Sequence, residues 1–163
     1  MGRAEALPFP IEEGESIDFQ HFTKEVKMQF FLNINPPTAT AQMKQVQVVG
    51  GKPMFYDPPK VKEARNSLSA LLSHHRPSCP LEGPVSLRVL WLFPKGKSHR
   101  NGEWRITKPD TDNLQKMLKD CMTRVGFWKD DAQVVREIVE KRWSDDPAGI
   151  YIELEELEDP AHV

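Results

Sequence analysis

The apolar and polar positions between residues 26 and 157 switch between two periods, and the switches predict the elements. Residues 26–34 are rich in Val, Phe, Leu and Ile and stop at Asn35-Pro36-Pro37, which predicts a strand. Residues 45–49 and 54–56 flank Gly50-Gly51, the composition of a hairpin with a Gly-Gly turn. Asp57-Pro58-Pro59 opens a helix, because proline is tolerated in a first turn. Val61, Ala64, Leu68, Leu71 and Leu72 give that helix its apolar face. In residues 85–93, Val85, Leu87, Val89, Trp91 and Phe93 share one face, and Leu90 and Leu92 follow on the other. A strand apolar on both faces belongs in the middle of a sheet.

Leu114, Met117, Leu118, Cys121, Met122 and Val125 then recur at helical spacing, with Asp112, Lys116, Lys119 and Thr123 on the other side. Asp110 or Thr111 fits the N-cap and Gly126 a left-handed C-terminal cap. Residues 132–143 fit neither period cleanly, and their β-branched content favours a bulged strand. After a turn at 144–149, Ile150, Ile152 and Leu154 alternate with Tyr151, Glu153 and Glu155 in a half-exposed final strand. The order is strand, hairpin, helix, strand, helix, strand, strand. It predicts an α+β (mixed α/β) domain, a single mixed β-sheet with two helices packed on it, over residues 25–157. Residues 1–24 read as an irregular extension and 158–163 as a frayed acidic end.

At 163 residues the chain suits one domain with a proper core. No apolar run is long enough to span a membrane, and the N-terminus lacks the regions of a signal peptide. Cys79 and Cys121 form no metal or redox motif, and His74 and His75 lack further ligands at zinc spacing. The expectation is a reducing, cytoplasmic setting with no membrane partner and no nucleotide cofactor.

Charge changes the picture once it is divided along the chain. The net charge of −2 hides a middle, residues 25–143, with 20 basic and 12 acidic residues, a net of +8. Residues 1–24 carry −3 and 144–163 carry −7. A polyanion would have to meet the middle. Lys95, Lys97, Arg100 and Arg105 lie in a polar loop with Trp104, directly before an acidic stretch. Lys60, Lys62 and Arg65 cluster at the start of the first helix, and Lys44, Lys52 and Lys108 complete the candidate phosphate contacts. Solvated surface charge is the simpler account of each alone.

The acids bracket the second helix. Asp110 lies on the incoming chain, which Pro109 makes extended, and Asp112 in the first turn; Asp130 and Asp131 follow the helix at the head of the next strand. A strand returning beside the helix can bring a third carboxylate to the first two. Clustered carboxylates repel unless a cation neutralises them, and hard oxygen ligands suit Mg²⁺ or Mn²⁺. Separately, Asp112 and Lys116 could be a surface pair, Asp110 a cap, and Asp130-Asp131 a solvated turn. The run lacks the glycine and glutamate of a calcium loop.

The segment Lys108-Pro-Asp-Thr-Asp-Asn-Leu-Gln-Lys116, with Gly126-Phe-Trp-Lys-Asp-Asp-Ala-Gln-Val-Val135 after it, resembles the signature of the RusA family of Holliday junction resolvases. The likeness covers the spacing of the two acidic clusters as well as their composition, over residues 108–142, with a looser likeness in element order elsewhere. It implies a homodimer acting on branched DNA, a four-way junction, with Mg²⁺ as cofactor and Mn²⁺ able to substitute. It further implies metal ligands at Asp110, Asp112 and Asp131, with Asp130 alongside, and a lysine assisting cleavage at Lys116. The alternatives are a general nuclease for branched DNA in phage replication or packaging, or a non-catalytic DNA-binding protein with a structural metal.

Overall fold

The computed structural model describes residues 27–40 and 44–158. The proposed extension over 1–24, the start of the first strand at Val26 and all but the first residue of the acidic end lie outside those residues. The order of elements matches the sequence reading. β1 is Lys27–Leu32, β2 Gln45–Val49, β3 Lys52–Tyr56, α1 Pro59–Ser73, β4 Val85–Pro94, α2 Thr111–Val125, β5 Val134–Ser144 and β6 Gly149–Glu156.

Four strands form one mixed sheet in the order β1-β6-β4-β5, antiparallel except for the parallel pair β4–β5. β4 is therefore central, and Val85, Leu87, Val89, Trp91 and Phe93 are all buried on the face predicted for them. Ile150, Ile152 and Leu154 of β6 join the same core. The bulge expected in the fifth strand falls at its start, where the β4 register jumps from Val134 to Arg136 and leaves Val135 unpaired. β2 and β3 pair only with each other, so the hairpin is a small sheet of its own beside the main one.

α1 and α2 pack against each other. Val61, Leu68 and Leu72 face inward from α1, and Leu114, Met117, Leu118, Cys121 and Met122 from α2. Asp110 is the N-cap of α2, and Gly126 ends it at φ 94°, the left-handed turn the sequence implied. His74 caps the end of α1, and His75 stacks on Phe30 at 4.5 Å. Among the described residues no helix is long and apolar enough to cross a membrane.

What positions the functional site is the β4–α2–β5 crossover. A parallel pair needs its connection to return across the sheet, and here α2 makes the return. β5 consequently runs back along α2 in the opposite sense.

Candidate active site

A cleft of about 380 Å³ opens between α2 and β5, lined by Thr111, Asp112, Gln115, Lys116, Lys119, Asp131, Glu137 and Val139. It brings together three of the four residues read as catalytic: Asp112, Lys116 and Asp131. Asp112 and Lys116 lie one helical turn apart on the exposed side of α2. The Lys116 side chain is largely exposed, and its ammonium stands 3.5 Å from Asp120.

The floor of the cleft is a chain of hydrogen bonds that sequence reasoning did not find. Trp91 Nε1 donates to Gln115 Oε1 (3.0 Å), Gln115 Nε2 donates to Glu137 Oε1 (2.8 Å), and Lys119 Nζ reaches Glu137 Oε2 at 3.3 Å. Gln115 is buried within the apolar face of α2. A buried amide needs partners, and these contacts fix Gln115 and Glu137 in one arrangement. The one available signal was a polar residue standing between Leu114 and Met117 on that face.

The acids do not meet at one point, contrary to the expectation of a single cluster. Lys141 of β5 reaches the carbonyl of Pro109, while Glu137 reaches Gln115 and Lys119. Among the described residues no three His, Cys, Asp or Glu side chains stand close enough to hold one ion between them.

Asp110 does not line the cleft; its carboxylate is 2.9 Å from Lys108 Nζ, which raises the lysine pKa through the hydrogen bond and then the charge. Asp130 caps the short 3-10 turn Asp131–Gln133, accepting from Ala132 N at 2.8 Å, with Gln133 Oε1 returning to the Asp130 amide. That reciprocal cap gives Asp130 a structural role and leaves Asp131 as the acid of the pair that lines the cleft.

The loop before the motif is fastened to β5. Gly102 N donates to Trp143 O, Trp143 N to Glu103 O, and Arg105 N to Lys141 O. The Arg105 guanidinium lies 4.0 Å from the Phe93 ring centroid and 4.4 Å from that of Trp143, and bonds the Lys108 carbonyl. Burial lowers its pKa. Arg105 thus binds the loop together, and Arg65 is similarly engaged by Asp57 (3.2 Å) and Asp120 (3.6 Å) with 13% of its side chain exposed. Lys95 pairs with Asp145 at 2.8 Å. Lys44, Lys60, Lys62, Lys97, Arg100 and Lys108 are exposed cations.

The donors the cleft offers are hard oxygens, from Asp112, Asp131 and Glu137, with Asp110 beside the helix start; their chemistry fits Mg²⁺, although no complete ligand set is assembled among the described residues.

A family model described as endodeoxyribonuclease RusA matches residues 35–155. A crossover junction endodeoxyribonuclease rusA of Lactococcus phage r1t is 32% identical over 136 residues, 81% of this chain and all of the relative. An uncharacterized protein, YqaN of Bacillus subtilis, is 35% identical over 108 residues, covering 60% of this chain and 75% of that one. The crossover junction endodeoxyribonuclease RusA of Escherichia coli K12 is 32% identical over 71 residues, 44% of this chain and 51% of its own length. With the family match spanning most of the sequence and the phage relative covered from end to end, this chain belongs to the endodeoxyribonuclease RusA family.

Proposed function

We propose that the protein is a Mg²⁺-dependent endodeoxyribonuclease that resolves four-way DNA junctions by paired nicks, in DNA recombination and repair. The observation that carries the reading is the cleft joining Asp112, Lys116 and Asp131, in a family whose phage member is named for crossover junction cleavage. Asp110, Asp112 and Asp131 would hold one or two Mg²⁺ ions, with Mn²⁺ a substitute. Bound there, the ion supplies activation of the attacking water and neutralisation of the charge on the leaving 3′ oxygen.

The chain's own groups do the rest. Lys116 reaches over the cleft mouth and counters the charge that grows on the phosphate in the transition state. Lys119, held by Glu137, adds a second cation on the same face. Lys97, Arg100 and Lys108 grip the DNA backbone beside the cleft, and the exposed cations of α1 extend that grip. No Ser, Cys or His lines the cleft, and water is the nucleophile in this reading. Paired nicks need two sites, and a two-fold dimer matched to a near two-fold junction supplies the second.

The test is a gel with labelled four-way junction, duplex and fork, each with Mg²⁺ and with EDTA. Symmetric nicking of the junction, lost in EDTA, is the expected result. A fork cut in preference to the junction would move the assignment to branched DNA generally. Cleavage unaffected by EDTA would end the metal-dependent reading.

A further inference from the structure

Trp104 and Ile106 are apolar side chains that neither the core nor the cleft uses. Trp104 is 54% exposed and Ile106 92%. Between them Arg105 is drawn inward over the Phe93 and Trp143 rings. The backbone here is extended along β5, with a bridge from Trp104 to Arg142 and Arg105 N donating to Lys141 O. Alternate residues of an extended segment share a side, which puts 104 and 106 together on the solvent side.

Both are presented from a fastened support. Arg105 holds the chain before Ile106, and Lys141 Nζ holds the carbonyls of Thr107 (2.8 Å) and Pro109 (2.7 Å) after it. The Arg142 guanidinium lies 3.8 Å from the Trp104 ring centroid, covering one face of the indole and leaving the other to solvent. One exposed apolar side chain is ordinary. Two of them, set side by side on a fixed segment that leads into the acidic motif, make a surface.

The surroundings of that surface are cationic. Residues 95–108 and 140–145 together hold seven basic and three acidic residues. Lys97, Arg100 and Lys108 of the same loop are exposed. Aromatic groups interleaved with cations are what proteins use to stack unpaired bases while following a phosphate backbone. Phosphate offers an indole or an aliphatic side chain nothing, and in a continuous duplex each base face is covered by its neighbour. Base faces open where the stack is interrupted, as at a branch point. Four residues separate Ile106 from Asp110, at most about 14 Å of chain. That is the span of about four nucleotides at 3.4 Å each.

We propose that Trp104 and Ile106 contact the unstacked bases at the branch point, Trp104 by stacking through its free face and Ile106 as a wedge beside the break. This pair, rather than the phosphate-gripping cations, then sets the preference for branched over duplex DNA. The proposal rests on the junction reading of the proposed function and names the residues that recognise the branch. The cations and the short span to Asp110 favour DNA over a protein as the occupant.

The experiment uses the full chain in EDTA with a four-way junction carrying 2-aminopurine at the branch point, and a duplex of the same sequence. Wild type is expected to bind the junction more tightly and to raise the 2-aminopurine fluorescence as the base unstacks. Trp104→Ala and Ile106→Ser should each weaken junction binding about tenfold and lose the fluorescence rise, with duplex affinity unchanged. Trp104→Phe and Ile106→Leu should restore both, whereas Lys97→Ala should weaken junction and duplex alike. Melting curves check folding, and Ile106 is so exposed that its variant keeps the test open if Trp104→Ala fails to fold. Variants that keep the junction preference and the fluorescence rise would overturn the proposal, and the surface would then belong to a protein partner. Equal losses on junction and duplex would overturn it too, leaving a general DNA contact. A wild type with no preference for the junction would instead take down the junction reading itself.

Discussion

Lys141 is the residue through which the sheet holds the acidic stretch in place. Its ammonium donates to the carbonyls of Thr107 (2.8 Å) and Pro109 (2.7 Å), and burial followed by the charge of Arg105 lowers its pKa. Lys141→Met is expected to lower the melting point by an amount equivalent to about 1–2 kcal/mol, since bonds from charged donors are worth somewhat more than neutral ones. It should also raise the Mg²⁺ concentration needed for half-maximal cleavage, because Asp110 follows directly; a Mg²⁺ titration of junction nicking checks this. Asp110→Asn, Asp112→Asn and Asp131→Asn keep shape but remove ligand charge, so each should abolish nicking while junction binding by gel shift persists or tightens. Lys116→Ala should slow cleavage by about two to three decades in single-turnover kinetics. Glu63→Gln, exposed on α1, is the matched control. Asp120 cannot serve as one, although it lies outside the motif, because it joins Lys116 to Arg65. Residue identity made the charges legible, but not their use. Arg65 and Arg105 looked like phosphate contacts by composition, and the fold engages both internally.

Two glycines separate local from long-range constraint among the elements. Gly126 closes α2 at φ 94°, and a Cβ there would meet nothing within 4 Å. Gly126→Ala should therefore cost only the conformational penalty, about 1–2 kcal/mol in a urea melt. Gly149 opens β6 where it meets β1, and a Cβ there would run into the Phe31 ring and the Leu32 carbonyl. Gly149→Ala should be the more damaging change in the same assay, because backbone and ring must both move to admit it. The cap at Gly126 was legible from sequence, since a glycine after an apolar helical stripe acts within a few residues. The contact at Gly149 joins residues far apart in the chain, and nothing near residue 149 announces it. The hairpin shows the same division: its Gly-Gly turn and register are local, whereas its separation from the main sheet is not.

For the molecule as a whole, charge is distributed by region, with a middle of +8 between ends of −3 and −7. Removing residues 1–20 and 158–163 deletes charge that repels DNA, so junction affinity should rise or hold, most visibly at low salt where screening is weak. Fluorescence anisotropy across a salt series measures it, and loss of cutting by a folded truncation would assign those ends an active role. The sequence by itself determined the elements, their order, the buried faces of β4, α2 and β6, and the residue types offered to metal and phosphate. Those depend on periodicity, caps and turn residues that act over a few positions. Only the tertiary structure decided where the acids stand: Asp112 and Asp131 in the lining of one cleft, and Asp110 beside Lys108. It also decided that Trp91, Gln115, Glu137 and Lys119 form one network. The physical reason is the parallel pairing of β4 with β5, which sends β5 back along α2 and sets which residues of helix and strand lie side by side.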